Sequence, residues 1–273
     1  MGVHSIDQII LSCNEDSTYS EFWGPVSWAY KKMLPGVKVH LAFLTWRDES
    51  DPLIELYRQH GDVTLFKPVS DVPEFGQAKM IRFILASLLG GDVCYIDDID
   101  LLPLRKDFIT DKTNKREQGK MLCVGGEVYQ GNGCYPISQM TAEGWLWKQL
   151  INPDKKSYRE LMDEWKGETM MDRREDICLK LDWAKDDYFS DERLLRRLMK
   201  QHGIAKQEME RGYADYLEAT IDRHTWNKKS EMWEYDILKL KNGGYVNAHG
   251  IRPFKKYEKH YKPLIDYINT TYP

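Results

Sequence analysis

The stretch Val93-Cys94-Tyr95-Ile96-Asp97-Asp98-Ile99-Asp100-Leu101-Leu102-Pro103-Leu104 decides how this chain is read. An apolar strand signal (DVCYI, 92–96) runs straight into three aspartates, after which an apolar run resumes. In open α/β sheets ligands bind beyond the carboxyl ends of the strands. Carboxylates crowded at such a place raise one another's pKa unless a cation neutralises them. Oxygen-only ligation suits Mg²⁺ or Mn²⁺, which keep positions open for substrate phosphates. An isolated Asp-x-Asp is more commonly a solvated strand end or a helix N-cap. The strand context and the third acid favour a cation site here.

Working upstream, strand and helix signals alternate. Residues 6–13 (IDQIILSC) read as a buried strand, 25–34 as a helix stopped by Pro35-Gly36, and 37–46 as a second strand. A short helix over 52–60, a strand over 62–69 and an amphipathic helix over 77–89 follow, the last carrying Met80, Ile81, Ile84, Leu85 and Leu88 at helical spacing. This rhythm predicts an α/β fold with a mostly parallel sheet flanked by helices. Downstream, a strand over 120–124 precedes a glycine-rich passage, and helices are expected over 142–151, 157–166, 172–183 and 190–202. Without an internal repeat or linker, residues 1–273 read as a single domain. Residues 1–104 form one binding half and 105–273 another that closes the molecule.

Composition narrows the function. The 273 residues carry 39 basic and 43 acidic side chains, a net charge of −4. That balance fits poorly with a nucleic-acid partner, which usually demands a basic stripe. No apolar run approaches the roughly 20 residues of a membrane span. Five cysteines, none in a CxxC pair, read as reduced core thiols and point to the cytoplasm. Aromatics make up 12% of the chain, enough to ask whether some face a ligand.

The stretch YIDDIDLLPL resembles the Asp-x-Asp motif of GT-A fold glycosyltransferases. The resemblance implies a mixed, mostly parallel GT-A sheet and a nucleotide-sugar donor held through Mn²⁺ or Mg²⁺. It carries over onto Asp98 and Asp100 as metal ligands, with a one-residue shift left open and Asp97 a candidate for the donor's ribose or sugar. GQAKMIRFILASLL resembles the helix that precedes the motif in these enzymes, making Lys79 and Arg82 candidate donor contacts. Arg82 is the better of the two, because a guanidinium fork matches phosphate and sugar oxygens. NAHGIRPF (247–254) resembles, loosely, the C-terminal His-x-x-Gly-x-x-Lys-Pro-Trp element of the glycogenin-like and lipopolysaccharide galactosyltransferase-like family 8. There His249 would be the third metal ligand and Arg252 would stand in for the diphosphate-binding Lys. By position, Ser12, Cys13 and Asn14 form the expected uridine edge, with Tyr19 or Trp23 available to stack on the base.

The acceptor half is less explicit. Tyr188-Phe189-Ser190-Asp191-Glu192 resembles the acidic site near the anomeric carbon in several GT-A families. Both acids also suit the first turn of a helix capped by Ser190. An inverting enzyme would draw its general base from Asp187, Asp191 or Glu192. A retaining one, toward which the His-Gly element leans, needs none. Asn132 and Gln139 are candidate sugar contacts. Tyr129, Trp145, Trp147, Trp226 and Trp233 are candidate stacking platforms, with the core the commoner place for such side chains. The expected partners are a nucleotide-sugar and a carbohydrate-bearing acceptor. The rivals are a sugar-nucleotide nucleotidyltransferase, which usually has a glycine-rich basic loop where SCNEDSTYS stands, a two-metal phosphohydrolase or nuclease, and a silent GT-A-like sugar-binding domain.

Overall fold

The computed structural model describes residues 6–124, 137–170, 190–209, 219–227 and 229–273. Four parallel strands form its first half: β1 (Gln8–Asn14), β2 (Lys38–Leu44), β3 (Asp62–Phe66) and β4 (Val93–Ile96). Short β5 (Leu101–Pro103) follows, then β6 (Met121–Val124), β7 (Met140–Glu143) and β8 (Lys206–Met209). The main sheet has seven strands in the order β3-β2-β1-β4-β7-β6-β8. It is mixed: β7 runs antiparallel to both β4 and β6, and β8 is parallel to β6. This is the mostly parallel, helix-flanked sheet expected from the sequence.

The helices described in the first half are α1 (Ser17–Ser20), α2 (Trp23–Met33), α3 (Pro52–Arg58), α4 (Glu74–Leu88) and α5 (Lys106–Thr113). In the second half lie α6 (Gly144–Ile151), α7 (Tyr158–Met170) and α8 (Ser190–Gln201). Strand β1 shows why its sequence is apolar without interruption. Successive side chains point to opposite faces, and both faces are covered. Ile10 packs with Met80, Ile81 and Ile84 of α4, whereas Ile9 and Leu11 pack with Trp23 and Tyr30 of α2. Cys13, Cys94 and Cys123 are buried free thiols, as expected; Cys134 and Cys178 lie outside the described residues.

Two boundaries differ instructively from expectation. Helix α4 starts at Glu74, three residues before the expected Gln77. The buried Gln77 amide accepts from Val69 N and donates to the Val69 and Val72 carbonyls, so it ties down the incoming loop from inside the first turn. Met140–Glu143, partly expected in a helix, is instead a fully buried strand wedged between β4 and β6, and the helix begins only at Gly144. The expected helix over 172–183 lies outside the described residues.

A smaller sheet completes the site. It consists of β5, β9 (Thr220–Ile221) and β12 (Asn247–His249), in the order β5-β12-β9. Between β9 and β12 lie the hairpin β10 (Trp226–Asn227) and β11 (Met232–Trp233) and helix α9 (Ile237–Lys241). Helix α10 (Phe254–Thr271) then packs Tyr261, Leu264 and Ile268 into the core beside α2. Pairing with β5 sets His249 opposite Leu101, and Gly250 N donates to the Asp100 carbonyl at 2.8 Å. A Cβ on Gly250 would fall 2.5 Å from the Phe22 ring and 2.6 Å from Tyr261 Oη, so only glycine lets the chain approach this closely.

Candidate functional site

A cavity of about 300 Å³ opens at the carboxyl ends of the parallel strands. Ser12, Cys13 and Asn14 at the end of β1 line it, with Tyr19, Lys79 and Arg82. So do Asp98, Asp100, Asp191, Glu192, His249 and Arg252. All but two of the sequence candidates for metal, donor and base therefore meet in one place. Asp187 lies outside the described residues. Asp97 stands apart from them. It is buried, receives the Tyr30 hydroxyl, and caps Asp98 N through its own Oδ1 at 2.9 Å. It is not among the residues that line the cavity, and its contact with Tyr30 ties the strand end to α2. Of the three clustered aspartates, Asp98 and Asp100, two apart along the chain, are the ones that line it.

The aromatics also sort themselves. Trp23, Trp147 and Trp233 are core. Trp145 is exposed and does not line the cavity, and Trp226 packs edge-on against Tyr257, with ring centroids 5.0 Å apart. Tyr19 and Phe75 are aromatics of the cavity, and the Arg252 guanidinium sits 4.7 Å from the Tyr19 ring centroid. Gln139 is buried outside the cavity, whereas Tyr129 and Asn132 lie outside the described residues.

One wall is built on Arg82 of α4. Its Nη1 donates to Asp98 Oδ1 at 2.7 Å and to the Asp97 carbonyl at 3.2 Å, while Nη2 donates to Asp191 Oδ2 at 3.0 Å. Arg82 and Asp191 are both buried. Burial opposes the guanidinium's charge, but Asp98 and Asp191 more than compensate and raise its pKa. The expected donor contact is thus, in this structure, a clamp that fixes the first turn of α8 against α4. Beside it Glu192 Oε2 is buried without a hydrogen-bond partner among the described residues. Burial first, then Asp191 and Asp98, push the Glu192 pKa well above its ordinary value, which favours the protonated carboxyl. Lys79 is pushed down by burial, and its Nζ lies 4.3 Å from the Phe75 ring centroid.

The other wall centres on Asp100. Arg223, in the short turn after β9, donates from Nη1 to Asp100 Oδ2 at 2.9 Å, and Arg252 Nη1 stands 3.5 Å from the same oxygen. His249 Nε2 is 3.5 Å from Asp100 Oδ2 and 2.7 Å from Arg223 Nη1; its Nδ1 is 3.6 Å from Asp222 Oδ2. Burial alone would raise the Asp100 pKa, yet His249 when protonated, and Arg223 and Arg252 in either case, hold it below the carboxylate range. For His249 burial lowers the pKa, while Asp100 and then Asp222 raise it, to about 9. That points to an imidazolium, whereas the contact with Arg223 requires an acceptor at Nε2. Two cations cannot share a 2.7 Å contact of donor to donor, so with Arg223 in place the ring is neutral and carries its proton on Nδ1, toward Asp222. Asp222 lies behind the ring, 3.6 Å from Nδ1, on the side where carboxylates commonly support metal-binding histidines.

Asp222 and Arg223 were not singled out from the sequence. Their segment, Thr220-Ile221-Asp222-Arg223-His224, has a two-residue strand, and only its pairing with β12 brings it to the cavity. An acid and a base adjacent after an apolar residue give too little signal to find.

Among the described residues no group of three or more His, Cys, Asp or Glu side chains stands ready to hold a metal ion. The donor set nonetheless fits one in part. Asp100 Oδ2 and His249 Nε2 already converge on a cationic atom, Arg223 Nη1, and Asp98 borders the same cavity. Two protein ligands suit a hard divalent ion that completes its shell with water and substrate phosphates.

No family model matches the sequence, and no curated protein does. Solved structures do. The glycosyltransferase GlyE of Streptococcus pneumoniae TIGR4 in its apo form superposes with a TM-score of 0.50 at 11% identity, covering 98% of this chain and 64% of that one. A second GlyE structure gives 0.50 at 12% identity, covering 97% and 63%. The galactosyltransferase LgtC in complex with donor and acceptor sugar analogs gives 0.45 at 9%, covering 96% and 95%. The chain therefore spans less than two thirds of the GlyE chains it matches. At such identities the likeness establishes the fold, a GT-A-type mixed sheet with flanking helices.

Proposed function

We propose that this chain is a glycosyltransferase, moving a hexose from a nucleoside diphosphate sugar, a UDP-sugar first, to a glycan, lipid-glycan or protein acceptor with the help of Mn²⁺ or Mg²⁺. One observation carries the reading. Strand ends far apart in the chain bring Asp98, Asp100, His249 and Arg252 into one cavity at the carboxyl edge of the parallel sheet. This is where an open α/β sheet binds nucleotides.

Cleaving the bond between the anomeric carbon and the diphosphate builds negative charge on the departing phosphate. A divalent ion held by Asp100 and His249, with Asp98 beside them, would supply Lewis-acid stabilisation of that charge. Arg252 and Arg223 add fixed positive charge on the same wall. Ser12, Cys13 and Asn14 offer the edge for the base, and Tyr19 a ring surface near it. Of the candidate bases, Asp191 is engaged by Arg82, and burial pushes the Glu192 pKa up toward the protonated form, so neither suits the role of general base. That favours retention, with the leaving phosphate taking the acceptor's proton and Glu192 donating a hydrogen bond to a sugar oxygen. The family 8 type of glycosyl transfer is the version of this reading that the His249–Arg252 segment supports.

Incubation with UDP-glucose, UDP-galactose, UDP-N-acetylglucosamine and GDP-mannose in Mn²⁺, with release of the nucleoside diphosphate followed by chromatography, tests the proposal. At least one UDP-sugar should be turned over, in a manner abolished by chelation and by Asp98→Asn. Binding without turnover of any donor would identify a sugar-nucleotide-binding domain instead, and no binding at all would contradict the reading.

A further inference from the structure

We infer that Arg223 is a resident cation at the metal position: its guanidinium and a divalent ion are alternative occupants of the gap between Asp100 Oδ2 and His249 Nε2. The inference rests on the metal-assisted reading above and adds a rule of loading to it.

Three distances define the gap. Arg223 Nη1 lies 2.9 Å from Asp100 Oδ2 and 2.7 Å from His249 Nε2, and those two atoms are 3.5 Å apart. A carboxylate oxygen has lone pairs to spare, but a neutral imidazole has a single acceptor nitrogen. His249 Nε2 can accept from Arg223 or bind a metal ion, never both. Asp222 Oδ2 stands 3.6 Å from Nδ1, on the far side of the ring, so the Nε2 lone pair is the one that both occupants would use. Repulsion between a guanidinium and a dication at hydrogen-bonding range enforces the exclusion.

The displaced guanidinium has a destination. A diphosphate entering the cavity brings the anionic oxygens that an arginine fork matches best, and Arg223 and Arg252 both line that cavity. Without nucleotide, Arg223 guards Asp100 and His249 against divalent cations. With nucleotide, the phosphates take Arg223 over and free the two ligands. Metal affinity is therefore low in the nucleotide-free protein, and metal and donor load together. Arg223 acts here as a positioning residue.

Mn²⁺ binding to the full chain, read from the electron paramagnetic resonance signal of free Mn²⁺, tests this without any turnover. In wild type, Arg223→Gln and Arg223→Ala, each is titrated with and without saturating UDP, and thermal melting reports folding. Without nucleotide, both variants should bind Mn²⁺ at least tenfold more tightly than wild type, and the gap should narrow when UDP is present. Folded variants whose nucleotide-free Mn²⁺ affinity equals or falls below that of wild type would overturn the exchange while leaving the metal reading standing, provided wild type binds Mn²⁺ with UDP. Mn²⁺ binding by none of the three proteins, with or without UDP, would overturn the metal reading and the exchange with it. If one variant fails to fold, the other decides.

Discussion

Two arginines line one cavity and do opposite work. Arg82 is buried, and its two nitrogens are committed to Asp98 and Asp191 from different elements. Arg223 is partly exposed, and its Nη1 lies between a carboxylate and an imidazole that would suit a metal equally well. The difference is one of exchange. A guanidinium held between two carboxylates has both of its terminal nitrogens engaged; one that shares an imidazole lone pair has the ligand itself as competitor. The Arg82 wall is scaffold that happens to face the site, and the Arg223 wall is the part built to change partners.

The comparison breaks most visibly in stability. Replacing Arg82 with Met leaves Asp191 buried and unpaired, and breaking a buried pair in this way costs about 3–5 kcal/mol. Arg223→Gln, which leaves His249 and Arg252 beside the buried Asp100, should cost less, about 1 kcal/mol, the range of one hydrogen bond. Urea unfolding of both variants measures this, and equal losses would dissolve the distinction between the walls. A smaller effect is expected at the hinge of the Arg223 wall. Gly250→Ala forces a Cβ against Phe22 and Tyr261, an overpacking worth about 1–3 kcal/mol, and the strain falls on the residue next to His249. Metal-dependent UDP binding should weaken along with stability; a variant with normal stability and binding would show that the close approach is dispensable.

The smallest effect belongs to Glu192. Its carboxyl keeps a proton in the folded protein to well above the ordinary value, through burial and then Asp191 and Asp98. From the unfolded pKa, about 4.3, up to the folded one, the unfolded chain has lost a proton that the folded chain retains. Its contribution to stability therefore falls as pH rises across that window. Glu192→Gln removes the dependence, so the variant's melting temperature should gain on that of wild type between pH 5 and pH 8. A constant difference over that range would mean that Glu192 is ionised in the folded state.

The two walls also differ in how far they were legible in the sequence. Strands β1 to β4 and helix α4 stand out because buried parallel strands are unbroken apolar runs and amphipathic helices keep their period. Asp98, Asp100, His249 and Arg252 stand out because each adjoins such an element. Asp97 shows the limit: nothing in YIDDID tells which carboxylate turns inward to Tyr30 and which faces the cavity. Asp222 and Arg223 show a deeper one. Their place depends on β9 pairing with β12, a contact between two very short strands distant from β5 in the chain. The same holds for Asp191, whose partner Arg82 lies on a helix more than a hundred residues earlier.

In the proposed function Asp100 anchors a metal-assisted diphosphate site, and calorimetry of UDP binding to wild type and Asp100→Ala, each with and without Mn²⁺, examines that anchor by itself. Mn²⁺-dependent UDP binding is expected in wild type, and its loss, about 100-fold or more, in the variant, corresponding to about 2.7 kcal/mol. UDP affinity that ignores both Mn²⁺ and the substitution, or no UDP binding under any condition, would contradict it.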